Sequence, residues 1–287
     1  MTESIIKKVA ILVKPEDPEA FKTGQEVSVW LKQRGIEVIG EPLVLSKIVD
    51  RSSPSAAEAG SGADLIIVLG GDGTMISAAR LVENREIPVI GINYGGLGYL
   101  TEFRIEEIYD ALETVLRGEF VAENRAMLDV EHLNGNETYL RGRVLNDVVI
   151  NKTVLARIIE IDVTLNGEFV NSFRADGLII GTPTGSTAYN LSAGGPIIHP
   201  SVSSVVITPI CPFTLTNRPL VVSDDSEIEV CLRNESDGVM LTLDGQVGAP
   251  MKLNDRLRIR KSKTSFKLIR PTNRNYFDVL RSKLKWG

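Results

Sequence analysis

Asp64-Leu65-Ile66-Ile67-Val68-Leu69-Gly70-Gly71-Asp72-Gly73-Thr74 joins an unbroken apolar run to a glycine-rich turn around one carboxylate. Apolar residues without polar alternation mark a strand covered on both faces, as in a parallel sheet. The turn opens a helix expected over about 74–83. Outward from it, residues 9–13 read as a strand and 21–34 as an amphipathic helix closed by Gly35. Residues 36–39 and 88–92 read as further strands, and 105–117 as a helix stopped by Gly118. Strands alternating with helices imply right-handed crossovers and a parallel sheet covered by helices on both faces. Ligands in such sheets bind beyond the carboxyl ends of the strands.

The periodicity changes after about Arg125. Residues 127–133, 139–150 and 158–165 alternate with period two, and Asn134-Gly135 and Asn166-Gly167 are hairpin-turn pairs. The series continues through 205–210, 220–222, 228–232, 240–243, 257–259 and 266–269. An antiparallel sandwich or open barrel is expected for this half. Residues 276–286 regain helical spacing, with Phe277, Leu280 and Leu284 on one face, and this helix is expected to dock back on the first domain.

The 287 residues include only two His (His132, His199) and two Cys (Cys211, Cys231), so zinc sites and His-based triads have little to draw on. Both thiols read as inert core residues, and neither His has an evident partner. The apolar run at 9–13 is too short for a signal-peptide core and Met1-Thr2-Glu3-Ser4 adds nothing to it, so a cytoplasmic protein is expected. No stretch reaches the roughly 20 apolar residues of a membrane span. Lys and Arg number 32 against 37 Asp and Glu, which argues against nucleic acid as a partner. From Arg256 onward eleven basic residues face one acid, Asp278. Because Arg256, Arg258 and Arg260 alternate with Leu257 and Ile259, a solvated strand face is the favoured reading over a phosphate-attracting surface.

Four stretches can carry chemistry. Gly70, Gly71, Gly73 and Thr74 form a turn whose amides suit a phosphate, while Asp72 could accept a hydroxyl proton, approach a magnesium ion, or merely cap the helix. The turn lacks the Lys-Ser/Thr of a Walker loop and is not G-x-G-x-x-G. Asp176-Gly177 and Thr182-Pro183-Thr184-Gly185-Ser186-Thr187-Ala188-Tyr189 concentrate hydroxyls and an aromatic ring suited to sugar oxygens, phosphate and a base. Asn146-Asp147 interrupts an apolar run, either as a bulge or as an amide and carboxylate turned toward a ligand. Asp244-Gly245-Gln246 alone reads as a hairpin turn.

In this order the four stretches, together with Asn93-Tyr94-Gly95-Gly96-Leu97-Gly98-Tyr99-Leu100 and Ser192-Ala193-Gly194-Gly195-Pro196, resemble the NAD kinase family over nearly the whole chain. The glycine-aspartate loop is shared with lipid kinases and phosphofructokinases; the Thr182–Tyr189 motif is the distinctive one. The resemblance implies a Rossmann-like N-terminal domain over 1–122, a β-rich sandwich-like domain over 123–270, and a tail over 271–287 on the first domain. It implies transfer of the γ-phosphoryl of ATP to the 2′-hydroxyl of the adenosine ribose of NAD, giving NADP. Asp72 would be the base, and Gly70, Gly71, Gly73 and Thr74 the phosphate loop. NAD would be contacted by Asn146, Asp147, Asp176, Thr187, Ala188, Tyr189, Asn190, Leu191, Ser192 and Gln246, and by Arg157 and Arg174 from their spacing to these motifs. The family often has Asn-Glu where this chain has Asn146-Asp147, a methylene shorter. The resemblance further implies Mg2+ or another divalent cation with ATP, no protein metal ligands, polyphosphate as an alternative donor, and a homodimer or homotetramer. A diacylglycerol-kinase-like lipid kinase and a non-catalytic dinucleotide sensor are the alternatives.

Overall fold

A computed structural model of the chain describes residues 6–14, 16–39, 43–44, 62–82, 85–96, 98–135, 137–153, 157–234 and 238–286. Met1-Thr2-Glu3-Ser4, the expected helix end at Glu83, and Leu97 lie outside the described residues. The chain forms two compact units, one of Met1–Asn124 with Phe266–Gly287 and one of Arg125–Ser265. The architecture is mixed α/β, with three sheets and few helices among the described residues.

The first unit contains β1 (Lys8–Val13), α1 (Pro18–Gln33), β2 (Glu37–Val38), β3 (Leu43–Val44), β4 (Leu65–Leu69) and α2 (Asp72–Ala79). After these come β5 (Pro88–Asn93), β6 (Phe103–Arg104), α3 (Ile108–Leu116) and β7 (Val121–Arg125). β1 pairs in parallel with β2, β3 and β4, and β5 with β4 and β6. Every side chain of β4 is buried, as its unbroken apolar run requires. The α1 helix begins earlier than its periodicity suggested, because Asp17 caps it by accepting from Ala20 N at 3.1 Å and Pro18 occupies the first turn. Its buried Ala20, Gly24, Val27 and Leu31 recur every three or four residues, and Val27 and Leu31 join the core cluster with Ile11, Ile67, Ile90 and Leu112.

Residues 266–269 depart from expectation. They form a strand at Phe266–Arg270 that lies in the first unit's sheet, parallel to β5 and between β5 and β7, not in the β-rich half. Alternation reveals a strand but not which sheet receives it. The basic C-terminal stretch also acquires a purpose. Arg270 is buried and paired with Glu102 at 2.6 Å and with Glu123, while Arg274 meets Glu107 at 2.7 Å. The last helix, Tyr276–Leu284, buries Tyr276, Val279 and Leu280, so the apolar face is rotated from the expected Phe277, which is exposed.

The second unit begins with β8 (Leu128–Asn134), β9 (Glu137–Val144), β10 (Asp147–Lys152), β11 (Ile159–Leu165), β12 (Glu168–Ala175) and β13 (Gly177–Gly181). It continues with β14 (Ser204–Ile210), β15 (Leu220–Ser223), β16 (Ile228–Leu232), β17 (Val239–Leu243), β18 (Val247–Met251) and β19 (Arg256–Lys261). With these the strand Phe266–Arg270 becomes β20. Two six-stranded antiparallel sheets run β15-β14-β13-β10-β17-β18 and β12-β11-β16-β19-β8-β9. One core cluster joins Val130, Ile161, Val230 and Leu257 from the second with Val148, Ile150, Leu178 and Leu241 from the first, which makes a sandwich. Arg256, Arg258 and Arg260 pair across strands with Glu229, Glu131 and Glu227, so this basic run is a solvated ion-pair face.

His132 does have a partner: it is buried, and its Nε2 lies 2.8 Å from Asp255 Oδ2. Cys231 is buried as expected, but Cys211 is exposed just after β14. Among the described residues no helix is long and apolar enough to cross a membrane.

Candidate active site

In the first unit the glycine-rich turn caps the carboxyl end of β4. Gly70 N donates to Ile92 O at 2.9 Å, which ties the turn to β5. A Cβ on Gly70 would lie 2.4 Å from Thr74 Oγ1, so no larger residue fits without displacing Thr74. The N-cap of α2 is Gly71, with no side-chain cap, and Asp72 stands in the first turn. Asp72 therefore does not serve as the helix cap. Its carboxylate accepts from Tyr99 N at 2.8 Å, Leu100 N at 3.0 Å and Thr101 Oγ1 at 3.1 Å. Gly98 leaves room for this: a Cβ there would fall 2.1 Å from Asp72 Oδ1. Burial and then the charge of Asp72 push the Tyr99 phenol above its usual range. Thr101, one residue past the quoted motif, was missed because a single hydroxyl carries no signal in a sequence.

In the second unit the polar break at Asn146-Asp147 has a clear cause. β9 belongs to one sheet and β10 to the other, so Leu145 and Asn146 are where the chain crosses the sandwich. The crossing breaks the ladder and leaves amides that need acceptors. Asp244 supplies them. Its carboxylate accepts from Leu145 N at 2.9 Å, Asn146 N at 2.7 Å and Asp147 N at 3.1 Å. Asp244 and Gly245 both have positive φ, 52° and 65°, as a tight hairpin between β17 and β18 demands. The hairpin turn is thus also an anchor for the Asn146 segment.

The Thr182–Tyr189 motif packs on the same crossing. Thr182 N donates to Asn146 O at 2.8 Å and Thr182 Oγ1 to Leu145 O at 2.6 Å. A Cβ on Gly185 would lie 2.1 Å from Asn146 O, so only glycine allows this approach. Ser186 donates to Pro183 O at 2.6 Å and accepts from Ile198 N at 3.0 Å. Asn190 is fully buried; its amide donates to Ser186 O and Pro196 O, and its oxygen accepts from Thr208 Oγ1 at 2.6 Å. Its side chain is committed to holding the turn. Tyr189, Ser192, Gly245 and Gln246 are exposed, Thr187, Ala188 and Leu191 partly so.

Two family models match this chain: an ATP-NAD kinase N-terminal domain over residues 9–120 and an ATP-NAD kinase C-terminal domain over 145–271. The NAD kinase of Geotalea daltonii is 49% identical over 284 residues, covering 98% of this chain and 99% of its own. That of Geobacter sulfurreducens is 47% identical with the same coverage. The chain belongs to the NAD kinase family. Its activity is that family's, phosphorylation of NAD at the expense of ATP, and the lipid-kinase and sensor alternatives fall away. An NAD kinase from Archaeoglobus fulgidus, solved in complex with ATP, superimposes with a TM-score of 0.74 at 27% identity, covering 97% of this chain and 98% of its own. Yeast NADH kinase, solved with NADH, shares the fold with a TM-score of 0.87 at 23% identity, over 98% of this chain and 88% of its own.

Two features of this NAD kinase's second unit bear on binding. Asp147 is buried, and among the described residues no donor meets its carboxylate. Burial, reinforced by the Asp244 charge, pushes it up to about 7. Between the ordinary aspartate value of 3.8 and about 7 the folded chain holds a proton that the unfolded chain has released. Stability is therefore complete only below that window and declines as pH rises through it. Thermal unfolding of the ligand-free protein between about pH 5 and pH 8 should show a loss of roughly 2–4 kcal/mol that Asp147→Asn abolishes. Equal slopes for the two proteins would refute this account.

The other feature is a separation. Asp147 pairs with Gly181, and Asn151 with Gly177, so Asp176 stands at the opposite end of the β10–β13 pair. At ~3.3 Å per residue the two ends are about 13 Å apart. Asp176 is bound there to Lys152 at 2.9 Å, and the exposed Arg174 stacks over Phe213 at 5.2 Å. Asn146, Asp147, Gln246 and residues 182–192 form one group; Arg174 and Asp176 do not join it. Arg157 is exposed, and among the described residues no hydrogen bond or ion pair links it to either group.

Proposed function

We propose that Asp72 is the general base that takes the proton from the 2′-hydroxyl of the adenosine ribose of NAD as the γ-phosphoryl of ATP is transferred to that oxygen. The carrying observation is that three donors fix the Asp72 carboxylate at the first turn of α2, beyond the carboxyl end of a parallel strand. The first unit reads as Rossmann-like on its β1-β4-β5 parallel run and this turn. Gly70, Gly71, Gly73 and Thr74 would receive phosphate, helped by the positive end of α2. Asn146, Asp147, Gln246, Thr187, Ala188, Tyr189, Leu191 and Ser192 would hold the dinucleotide, with Tyr189 offering its ring to a base. Asn190 would act through the shape of that turn. A ribose hydroxyl donating to Asp147 would favour its ionised form.

Among the described residues no group of three or more His, Cys, Asp or Glu could hold a metal ion. Mg2+ would be carried by the ATP phosphates, where it neutralises their charge. The reading keeps the enzyme in the cytoplasm. NADP formation from Mg-ATP and NAD, with polyphosphate as the second donor, tests the reaction directly.

The homodimer or homotetramer expected for the family gives Arg174 and Asp176 a role: they would serve the site of a neighbouring copy. Co-expression of Asp72→Asn chains with Asp176→Ala chains then restores activity that neither has alone. Random pairing predicts roughly a quarter of the wild-type rate per dimer, because half the dimers are mixed and each has one intact site. Two inactive variants that stay inactive together would confine Asp176 to its own chain.

A further inference from the structure

We propose that Asn93 and Thr101 form a one-way hydrogen-bond relay that orients Asp72 and leaves its Oδ2 as the proton acceptor. The inference rests on the reading of Asp72 as the base, and names the atom that acts and the residues that position it.

The direction of the relay follows from its ends. Asn93 Oδ1 accepts from Gly95 N at 3.0 Å, while Nδ2 donates to Gly96 O at 2.9 Å, so a donor and a carbonyl fix the amide's orientation. The same Nδ2 donates to Thr101 Oγ1 at 2.9 Å. A hydroxyl that receives this hydrogen must spend its own proton elsewhere, and Asp72 Oδ1 lies 3.1 Å away. Thr101 is completely buried, so water does not compete for that proton.

The carboxylate oxygens are consequently unequal. Oδ1 accepts from both Leu100 N and Thr101 Oγ1, which uses its two lone pairs. Among the described residues Oδ2 accepts from Tyr99 N alone, and it keeps one lone pair. Two glycines make the arrangement rigid. A Cβ on Gly91 would stand 2.9 Å from the Thr101 methyl, and one on Gly98 would stand 2.3 Å from Thr101 Oγ1 and 2.1 Å from Asp72 Oδ1. The hydroxyl is thus held by packing on one side and by hydrogen bonds on the other. Asn93 and Thr101 touch neither substrate in this scheme; they are positioning residues.

The test compares Thr101→Val, which keeps the shape and removes the hydroxyl, with Thr101→Ser, which keeps the hydroxyl. Steady-state NADP formation gives kcat and KM, calorimetry gives NAD affinity, and thermal unfolding gives stability. Thr101→Val should lower kcat roughly 10–100-fold with KM for NAD unchanged, and Thr101→Ser should stay within about threefold of wild type. Asn93→Asp, which removes the donated hydrogen at equal size, should lower kcat in the same way. In an Asp72→Asn background, Thr101→Val should cost less than about twofold more, because its effect passes through the missing carboxylate. Undiminished kcat in Thr101→Val beside an inactive Asp72→Asn overturns the relay and spares the base. A full additional loss in the Asp72→Asn background also overturns it, because Thr101 would then act on folding. Wild-type turnover in Asp72→Asn removes the base itself, and the relay with it.

Discussion

Replacing Asp72 with Asn should leave NAD bound and abolish most of the turnover. The substitution keeps the size of the side chain and removes the carboxylate proposed to accept the ribose proton. A positioned base of this kind contributes typically ~10²–10⁴-fold, so kcat should fall by that factor. NAD affinity should hold, because the candidate contacts lie around Asn146, Thr187 and Gln246, and Asp72 makes none of the bonds that shape them. Some local cost is expected, since the amide has one acceptor oxygen where the carboxylate serves Tyr99 N, Leu100 N and Thr101 Oγ1. Measuring thermal unfolding beside kcat separates that cost from catalysis. A variant that turns over NAD at near the wild-type rate would end the assignment.

Asp244→Ala should be the most damaging change in the second unit. It strips the acceptor from three backbone amides at the point where the chain crosses between sheets. Leu145 and Asp147 are buried, so their amides have no ready route to water. Hydrogen bonds to a charged acceptor are worth about 1.5–3 kcal/mol each, and their losses overlap because the segment relaxes as one piece. A total of about 3–5 kcal/mol is expected, or a fall in Tm of roughly 10 °C. NAD affinity should fall as well, since Asn146 and Asp147 lose the geometry that presents them. Asp244→Asn should lie between, with one acceptor oxygen for three amides. An Asp244→Ala protein that melts and binds NAD like wild type would show that the crossing holds itself.

The strands that could be read from the sequence are those whose two faces meet different or uniformly apolar surroundings. β4 announced itself as an unbroken apolar run, and β11 and β19 as clean alternation. β12 escaped notice because it lies at the edge of its sheet, where Glu168, Phe169 and Arg174 face solvent and blur the pattern. The run 139–150 looked like one strand because both of its parts are apolar and alternating. Its pairings show that it changes sheets: β9 pairs with β8 while β10 pairs with β13 and β17, and Asp244, about a hundred positions on, holds the crossing at Leu145 and Asn146. The same distance explains the site. Motifs exposed Asp72, Asn146, the Thr182 run and Asp244 as local oddities. That Asp244 anchors Asn146, that Thr101 meets Asp72, and that Asp176 stands at the far end of its strand pair are consequences of register, which no local pattern encodes.

The place of β20 has a consequence for how the protein is made. The second unit is one uninterrupted stretch, Arg125–Ser265, whereas the first is written in two pieces on either side of it. A ribosome therefore releases all the strands of the sandwich before it has synthesised the strand that lies between β5 and β7. The sandwich can complete its core while the older, N-terminal half is still short of a neighbour for β5. Until almost the last residues emerge, β5 has only β4 and β6 beside it, and the sides of β5 and β7 that β20 covers lack that strand.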